Sequence, residues 1–367
     1  MLRPLLFRLA EDRLALVLLL VMPPLLWFVP LSPLAIMQLV QWQTITILTG
    51  LILLSRGLED SGYLGRLGLW LIQHLHTERL LALVLVLFSA VLSMLLTNDV
   101  TLFIVVPLTL ALRGVATVPV GRLIVFEALA VNAGSAISPI GNPQNLFLWQ
   151  TSGSGFVGFT LAMLPVGLAL LGCIAVLLPL AFPAQRLQSL AALALPPVKP
   201  RTFWVSLLCY PVFLVAAELG QSAFVLSLLL LIYLRYFRAV VMTMDWPLLL
   251  VFVLMFIDLG LVAQMPVVVA LAGHIVQLPG SVLTAAALLS QLISNVPTAI
   301  FLGGLGEEWK AVAWGVNIGG FGFMLGSLAN LIALRMAGER GLWREFHRWS
   351  IPLLLMGWLA GAVLFDH

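Results

Sequence analysis

Between Arg13 and Arg56 the chain runs for 42 residues, 14–55, without one charged side chain. A helix that crosses the hydrocarbon of a bilayer needs about 20 residues. The run therefore holds two spans, turned at Pro30-Leu31-Ser32-Pro33. Over the whole chain 62% of residues are hydrophobic and 9% charged, where a soluble domain carries about 25% charged residues. Such a chain cannot cover a water-facing surface, and it reads as an integral membrane protein. Arg3, Arg8 and Arg13 precede the first apolar run, but only Phe28-Val29-Pro30 follows it, with no small-residue cleavage site. The first helix is expected to be retained.

Apolar runs predict spans near 14–30, 36–56, 157–182, 203–218, 223–237, 246–264 and 350–365. Two further runs are cut by polar residues: 80–112 at Thr97-Asn98-Asp99, and 281–303 at Ser294-Asn295-Val296-Pro297. Irregular backbone at membrane depth must be buried in protein or line a watery cavity. Each cut run is expected to be a re-entrant hairpin with a polar tip. Residues 122–150 and 310–335 read as broken helices, and 63–78 as a helix lying along the cytoplasmic surface on Leu64, Leu67, Leu71 and Leu75.

The two broken helices repeat each other. Asn132, Gly134, Gly141 and Asn145 recur as Asn317, Gly319, Gly326 and Asn330, 185 residues later each time (317−132, 330−145). Gln41-Trp42 and Asp245-Trp246 likewise open one span in each half. Nine spans with a cytoplasmic N-terminus put every Lys and Arg except Lys310 on the cytoplasmic side, seventeen of eighteen, as the positive-inside rule demands. Five crossings separate the two tryptophans, and an odd number inverts the second copy. The expected fold is an all-α polytopic membrane protein built from inverted repeats, 1–182 and 202–367, joined by a Pro-rich cytoplasmic linker, 183–201. The C-terminus then lies outside, in the periplasm. The net charge of +3 is no signal for nucleic acid, because the cations lie along one membrane face. Cys173 and Cys209 sit in separate apolar runs, and a disulfide or metal site from them is not expected.

Paired interrupted segments in corresponding halves mark a transporter's binding site. The tips offer Thr97, Asn98, Asp99 and Thr101 in the first half, and Ser294, Asn295 and Thr298 in the second. Half-helix N-termini present free N–H groups and a positive dipole end, which suits an anion. Unwound carbonyls and C-terminal ends suit a cation. Solute contacts are expected from Thr97, Asn98, Asn142, Asn145, Ser294, Asn295, Thr298, Ser327 and Asn330. Cation or proton coupling is expected at Asp99, Thr101, Asn132, Gly141, Asn317 and Gly326. Asp99 is the sharpest of these, since a carboxylate in mid-membrane is expensive and usually functional; its counterpart is Val296. Asp258 is a second intramembrane acid, with a structural reading as strong as a functional one. Glu127 and Glu218 read as interfacial, and the five histidines as lying at loops, surfaces or the terminus. The tips and breaks hold no Lys or Arg, so an anion would be held by helix ends and neutral side chains.

Thr97-Asn98-Asp99, Ser294-Asn295-Val296 and Ser138-Pro139-Ile140-Gly141-Asn142-Pro143-Gln144-Asn145 resemble the signatures of the ion transporter superfamily. That superfamily contains arsenite permeases, Na⁺/H⁺ antiporters of the NhaD type, citrate–metal symporters and divalent-anion/Na⁺ symporters. The resemblance implies a homodimer whose hairpins and broken helices slide as an elevator against a scaffold. It implies a solute site between tips and breaks, at Asn98, Asn295, Gly141, Asn145, Gly326 and Asn330, flanked by cation sites. The expected function is secondary active transport of a small inorganic or organic anion, with Na⁺ or H⁺ as coupling ion and no other cofactor, in the bacterial inner membrane. A Na⁺/H⁺ antiporter, needing only Asp99, is the alternative. A passive channel is disfavoured by the inverted repeats. No nucleophile–base pair, metal cluster or P-loop supports a membrane-embedded enzyme or an ATP-driven pump.

Overall fold

The structure, a computed structural model, describes residues 13–113, 118–187, 197–268, 270 and 281–365. Arg3, Arg8, His274, His367 and the middle of the linker lie outside the described residues. The described chain is helical, and its one β-bridge joins Thr77 to Arg186.

The first half begins with α1 (Arg13–Phe28), α2 (Pro33–Leu39) and α3 (Trp42–Asp60). The expected span at 36–56 is thus two helices, bent by 53° where they meet. After α4 (Tyr63–Gln73), helices α5 (Glu78–Leu95) and α6 (Asn98–Leu110) meet at the first polar tip. The first broken helix is α7 (Val120–Ser135) and α8 (Pro143–Ser152), and α9 (Phe156–Ala181) follows it. The second half comprises α10 (Pro200–Glu218), α11 (Ser222–Tyr236), α12 (Arg238–Thr243) and α13 (Trp246–Val262). Next come α14 (Ser281–Ile293) and α15 (Asn295–Gly304), meeting at the second tip. The second broken helix is α16 (Trp309–Ile318), a 3₁₀ turn (Met324–Gly326) and α17 (Leu328–Ala337); α18 (Leu342–Phe365) closes the described chain.

Bilayer-facing surface is written on α9. Phe159, Met163, Val166 and Leu170 are buried, while Val157, Leu161, Leu168 and Val176 are exposed. A helix apolar all round suits lipid on its outer side. Helices α5, α9, α10 and α18 are each long and apolar enough to cross, and the bent α2–α3 pair makes a fifth. The nine expected crossings also count α1, α11 and α13, which are shorter apolar helices of 10–17 residues, and the two broken helices, whose halves are individually too short. α5, expected as one arm of a hairpin, is by itself long enough to cross.

The two halves repeat at atomic detail where the tryptophans open α3 and α13. Gln41 and Asp245 share a backbone conformation, φ/ψ of −79°/77° and −82°/76°. The indole of Trp42 donates to Met37 O and that of Trp246 to Val241 O, each at 3.0 Å and five residues back.

One of the surface readings is corrected, that of Glu127. α4 packs through Gly68, Leu69 and Ile72, while Leu67 is exposed and Leu64, Leu71 and Leu75 are half-buried. Gly68 sets that face, because a Cβ there would sit 2.4 Å from Leu108. Glu127, expected at the interface, is fully buried, accepting a hydrogen bond from the Thr109 hydroxyl. α7 is surrounded by α5, α6, α9 and α17, so no face of it reaches water at that depth. Glu218 does lie at a helix end and caps α9, accepting from Phe156 N–H at 2.9 Å. His347 lies half-buried on α18, and its Nε2 accepts from Met324 N–H in the second break.

Candidate functional site

Both breaks are held open by side-chain amides. In the first, Asn142 accepts from Asn145 N–H, capping α8, and Pro143 occupies the first helical turn, where a missing N–H costs nothing. Asn145 then donates to the carbonyls of Ser135, Ala136 and Ser138, between 3.0 and 3.3 Å. These are carbonyls that an unbroken helix would have satisfied itself. In the second break Asn330 donates to Gly320 O at 2.9 Å; Gly320 is Ser135 plus 185.

The breaks also bond to each other, reciprocally. Asn132 donates to Asn330 Oδ1 at 2.8 Å, and Asn317 donates to Asn145 Oδ1 at 2.7 Å. Asn142 donates to Asn317 Oδ1 at 3.1 Å, and Ser327 to Asn132 Oδ1 at 2.9 Å. Adding or subtracting 185 converts each bond of a pair into the other. All six side chains are buried. Each tip lies against its own break. Asn98 N–H donates to Gly141 O at 2.8 Å. A Cβ on Gly134 would fall 2.1 Å from Ala90 O, and one on Gly319 would fall 2.5 Å from Ser290. Gly326 is buried in the 3₁₀ turn.

The second tip turns at Ser294, with φ of +72°, the one positive-φ residue other than glycine among the described residues. Its carbonyl accepts from Thr298 Oγ1 at 2.8 Å, and its hydroxyl donates to Asn295 Oδ1 at 3.4 Å. In the first tip Asn98 Oδ1 accepts from Asp99 N–H at 2.9 Å.

Asp99 and Thr101, grouped by sequence, face different surroundings. Two residues apart on α6, they point about 200° apart. Asp99 lines a cavity of about 480 Å³ with Thr97, Arg56, Glu59, Thr243 and Asp245. Thr101 is fully buried away from it, and its hydroxyl has no hydrogen-bond partner. The tips themselves hold no Lys or Arg, yet Arg56 reaches this cavity from α3. Its Nη1 donates to both Glu59 oxygens at 2.6 Å, and its Nε to Thr243 at 3.4 Å. Neither Arg56 nor Glu59 carried a motif that could have singled it out. Asp258 is buried with both carboxylate oxygens unbonded. A larger cavity of about 800 Å³ is lined by Arg113, Arg122, Glu339, Arg340 and Glu345 near the starts of α7 and α18.

A family model described as "Citrate transporter" matches residues 5–314. The chain belongs to the citrate transporter family. As a member of that family it is a transporter and not an enzyme. Among relatives, it is 46% identical over 363 residues to the inner membrane protein YbiR of Escherichia coli, covering 98% of this chain and 97% of that one. It is 29% identical over 313 residues to an uncharacterized transporter of Methanocaldococcus jannaschii, 84% of each chain. A shorter match, 24% over 135 residues, is to a transporter named arsB from Dictyostelium discoideum, covering 37% of this chain and 24% of that one. The family match, YbiR and the arsB match agree with membership of the ion transporter superfamily.

Proposed function

We propose that this chain is a secondary active transporter of the inner membrane that moves a small inorganic or organic anion together with Na⁺ or H⁺. The carrying observation is a hairpin tip with an intramembrane acid, Asp99, facing a cavity of about 480 Å³ beside two buried broken helices. The reciprocal amide bonds between Asn132, Asn145, Asn317 and Asn330 support two repeats related by a two-fold axis. With the N-terminus cytoplasmic and the C-terminus periplasmic, that axis lies in the membrane plane, and alternating access follows. The hairpins and broken helices form the moving unit of an elevator, in a lipid-embedded homodimer. Thr97, Asn98, Ser294, Asn295 and Thr298 contact the solute at the tips. Asn142, Asn145, Ser327 and Asn330 join them when the solute exchanges for the bonds they make to one another. Asp99 carries the coupling charge.

The test is charge movement by purified protein in proteoliposomes on a solid-supported membrane. Arsenite, phosphate, sulfate, carboxylates and Na⁺ are each applied with and without Na⁺ and pH gradients. A signal from one anion that requires Na⁺ or H⁺ establishes the symporter. Asp99→Asn should abolish the ion dependence at an unchanged melting temperature, and an unchanged dependence removes Asp99 from that role. The acids lining the cavity favour a second reading, Na⁺/H⁺ antiport, which predicts current from a cation gradient with no anion present.

A further inference from the structure

The larger cavity, about 800 Å³, is lined by no residue of either hairpin tip. The first half walls it with Arg113, just past α6, and with the start of α7; the second half adds the turn from α17 into α18. Three arginines face it, Arg113, Arg122 and Arg340, with two acids, Glu339 and Glu345. Pairing decides what charge is left. Arg122 is held by Glu345 and by Ala181 O. Arg113 meets Glu339 at 3.3 Å, but the two side chains are 46% and 49% exposed, and so exposed a pair is weakly held. Arg340 is exposed and has no partner among the described residues. With both acids already paired, the lining keeps one uncommitted guanidinium and a second that is loosely bound.

One of the acids marks what the place attracts. The first turn of α7 has neither a side-chain cap nor an acid of its own, and a helix start of that kind favours negative charge. The Glu339 carboxylate supplies it from the other half. A Cβ on Gly121 would sit 2.6 Å from Glu339 Oε2, and that same oxygen accepts from Arg113. A carboxylate of the chain thus lies where an arginine and a helix start converge, and Arg340 is left for a second anion.

The cavity also borders the lipid headgroups. Trp343, beside it on α18, is 51% exposed, and the Arg344 guanidinium lies 5.2 Å from the centre of its ring. Tryptophan is enriched where water meets lipid. The three arginines fall on the face that the positive-inside reading makes cytoplasmic, and basic pockets between transmembrane helices on that side take phospholipid headgroups.

We infer that this cavity binds a phosphate group through Arg340 and Arg113, with Glu339 as a built-in competitor for Arg113. An anionic phospholipid headgroup and inorganic phosphate carry the same group, and the place at the interface favours the lipid. Occupancy joins the start of the first broken helix to the start of α18, across the two halves. The inference depends neither on the solute carried nor on the coupling ion.

Thermal unfolding of the purified full chain, stripped of lipid in an uncharged detergent, tests this at constant ionic strength. Phosphatidylglycerol, phosphatidylcholine and sodium phosphate are added separately. Phosphatidylglycerol should raise the melting temperature saturably, and phosphatidylcholine should not. Arg340→Gln should melt with the wild type when nothing is added, and should need about tenfold more phosphatidylglycerol, as expected for one lost charge-assisted bond. Glu339→Gln should need less phosphatidylglycerol than the wild type, because it frees Arg113. Arg344→Gln, which does not line the cavity, controls for general attraction to an acidic micelle and should move the midpoint by about twofold or less. Stabilisation by sodium phosphate with the same sensitivities, with or without a lipid effect, supports the phosphate site and gives it a free anion as occupant. The inference is overturned by an equal response to the two lipids, by no response to any addition, or by a midpoint that Arg340→Gln or Glu339→Gln leaves unchanged. An Arg344→Gln effect as large as that of Arg340→Gln overturns it as well.

Discussion

Asn317 donates its side-chain amide to Asn145 at 2.7 Å, across 172 residues of sequence, and Asn145 passes three hydrogen bonds on to the carbonyls of its own break. Asn145→Ala therefore orphans a buried donor in the opposite half and buried acceptors in its own. Each stranded buried group costs about 1–3 kcal/mol. Thermal unfolding in detergent should show a loss of about 3 kcal/mol or more. Asn145→Ala combined with Asn317→Ala should cost less than the sum, since the two share one bond. Additive losses would mean that the bond carries no coupling energy.

Close packing at the first tip depends on a missing side chain. In Gly134→Ala the new Cβ would collide with the Ala90 carbonyl, a backbone atom that cannot step aside. Overpacking of this kind costs about 1–3 kcal/mol, occasionally more, and should show as a lower melting temperature and faster proteolysis between α5 and α6. Gly172→Ala in α9, where nothing lies within 4 Å, is the matched control. It should be neutral or stabilising by up to about 1 kcal/mol.

Strain at the second tip can be relieved. Ser294 holds a positive φ, a conformation that costs a residue with a side chain about 1–3 kcal/mol. Ser294→Gly should raise thermal stability, by less than that range because the hydroxyl contact to Asn295 is lost with it. A fall in stability would mean that the hydroxyl outweighs the strain.

The buried Glu127 depends on Thr109 for its one hydrogen bond. Thr109→Val keeps the volume but strands the carboxyl, and should destabilise by about 1–3 kcal/mol in thermal unfolding. Restoring the wild-type melting temperature in Thr109→Val by adding Glu127→Leu would tie the loss to the stranded group rather than to packing.

Much of this architecture can be read from residue order alone. The interruptions at 97–99 and 294–297 fall where α6 and α15 begin. The 185-residue repeat of asparagines and glycines marks the amides that bond across the breaks. What the sequence hides is which groups face each other. Asp99 and Thr101 look like neighbours in a motif, but helical geometry sends one into a cavity and the other into packed interior. Arg56 and Asp245 look like span-end residues, and only the approach of α3 and α13 to the first tip brings them beside Asp99. Glu127 lies five residues from Arg122 and reads as interfacial, because nothing in sequence tells how many helices surround α7.

The reciprocal bonds between the breaks also constrain how this chain can vary. An amide lost from either half strands a partner in the other, so the two copies cannot drift independently at these positions. Sequences that keep the fold must change both members of a bonded pair together or neither. The residues 132, 145, 317 and 330 should therefore vary across relatives as pairs, 132 with 330 and 145 with 317, rather than as equivalents within the duplication.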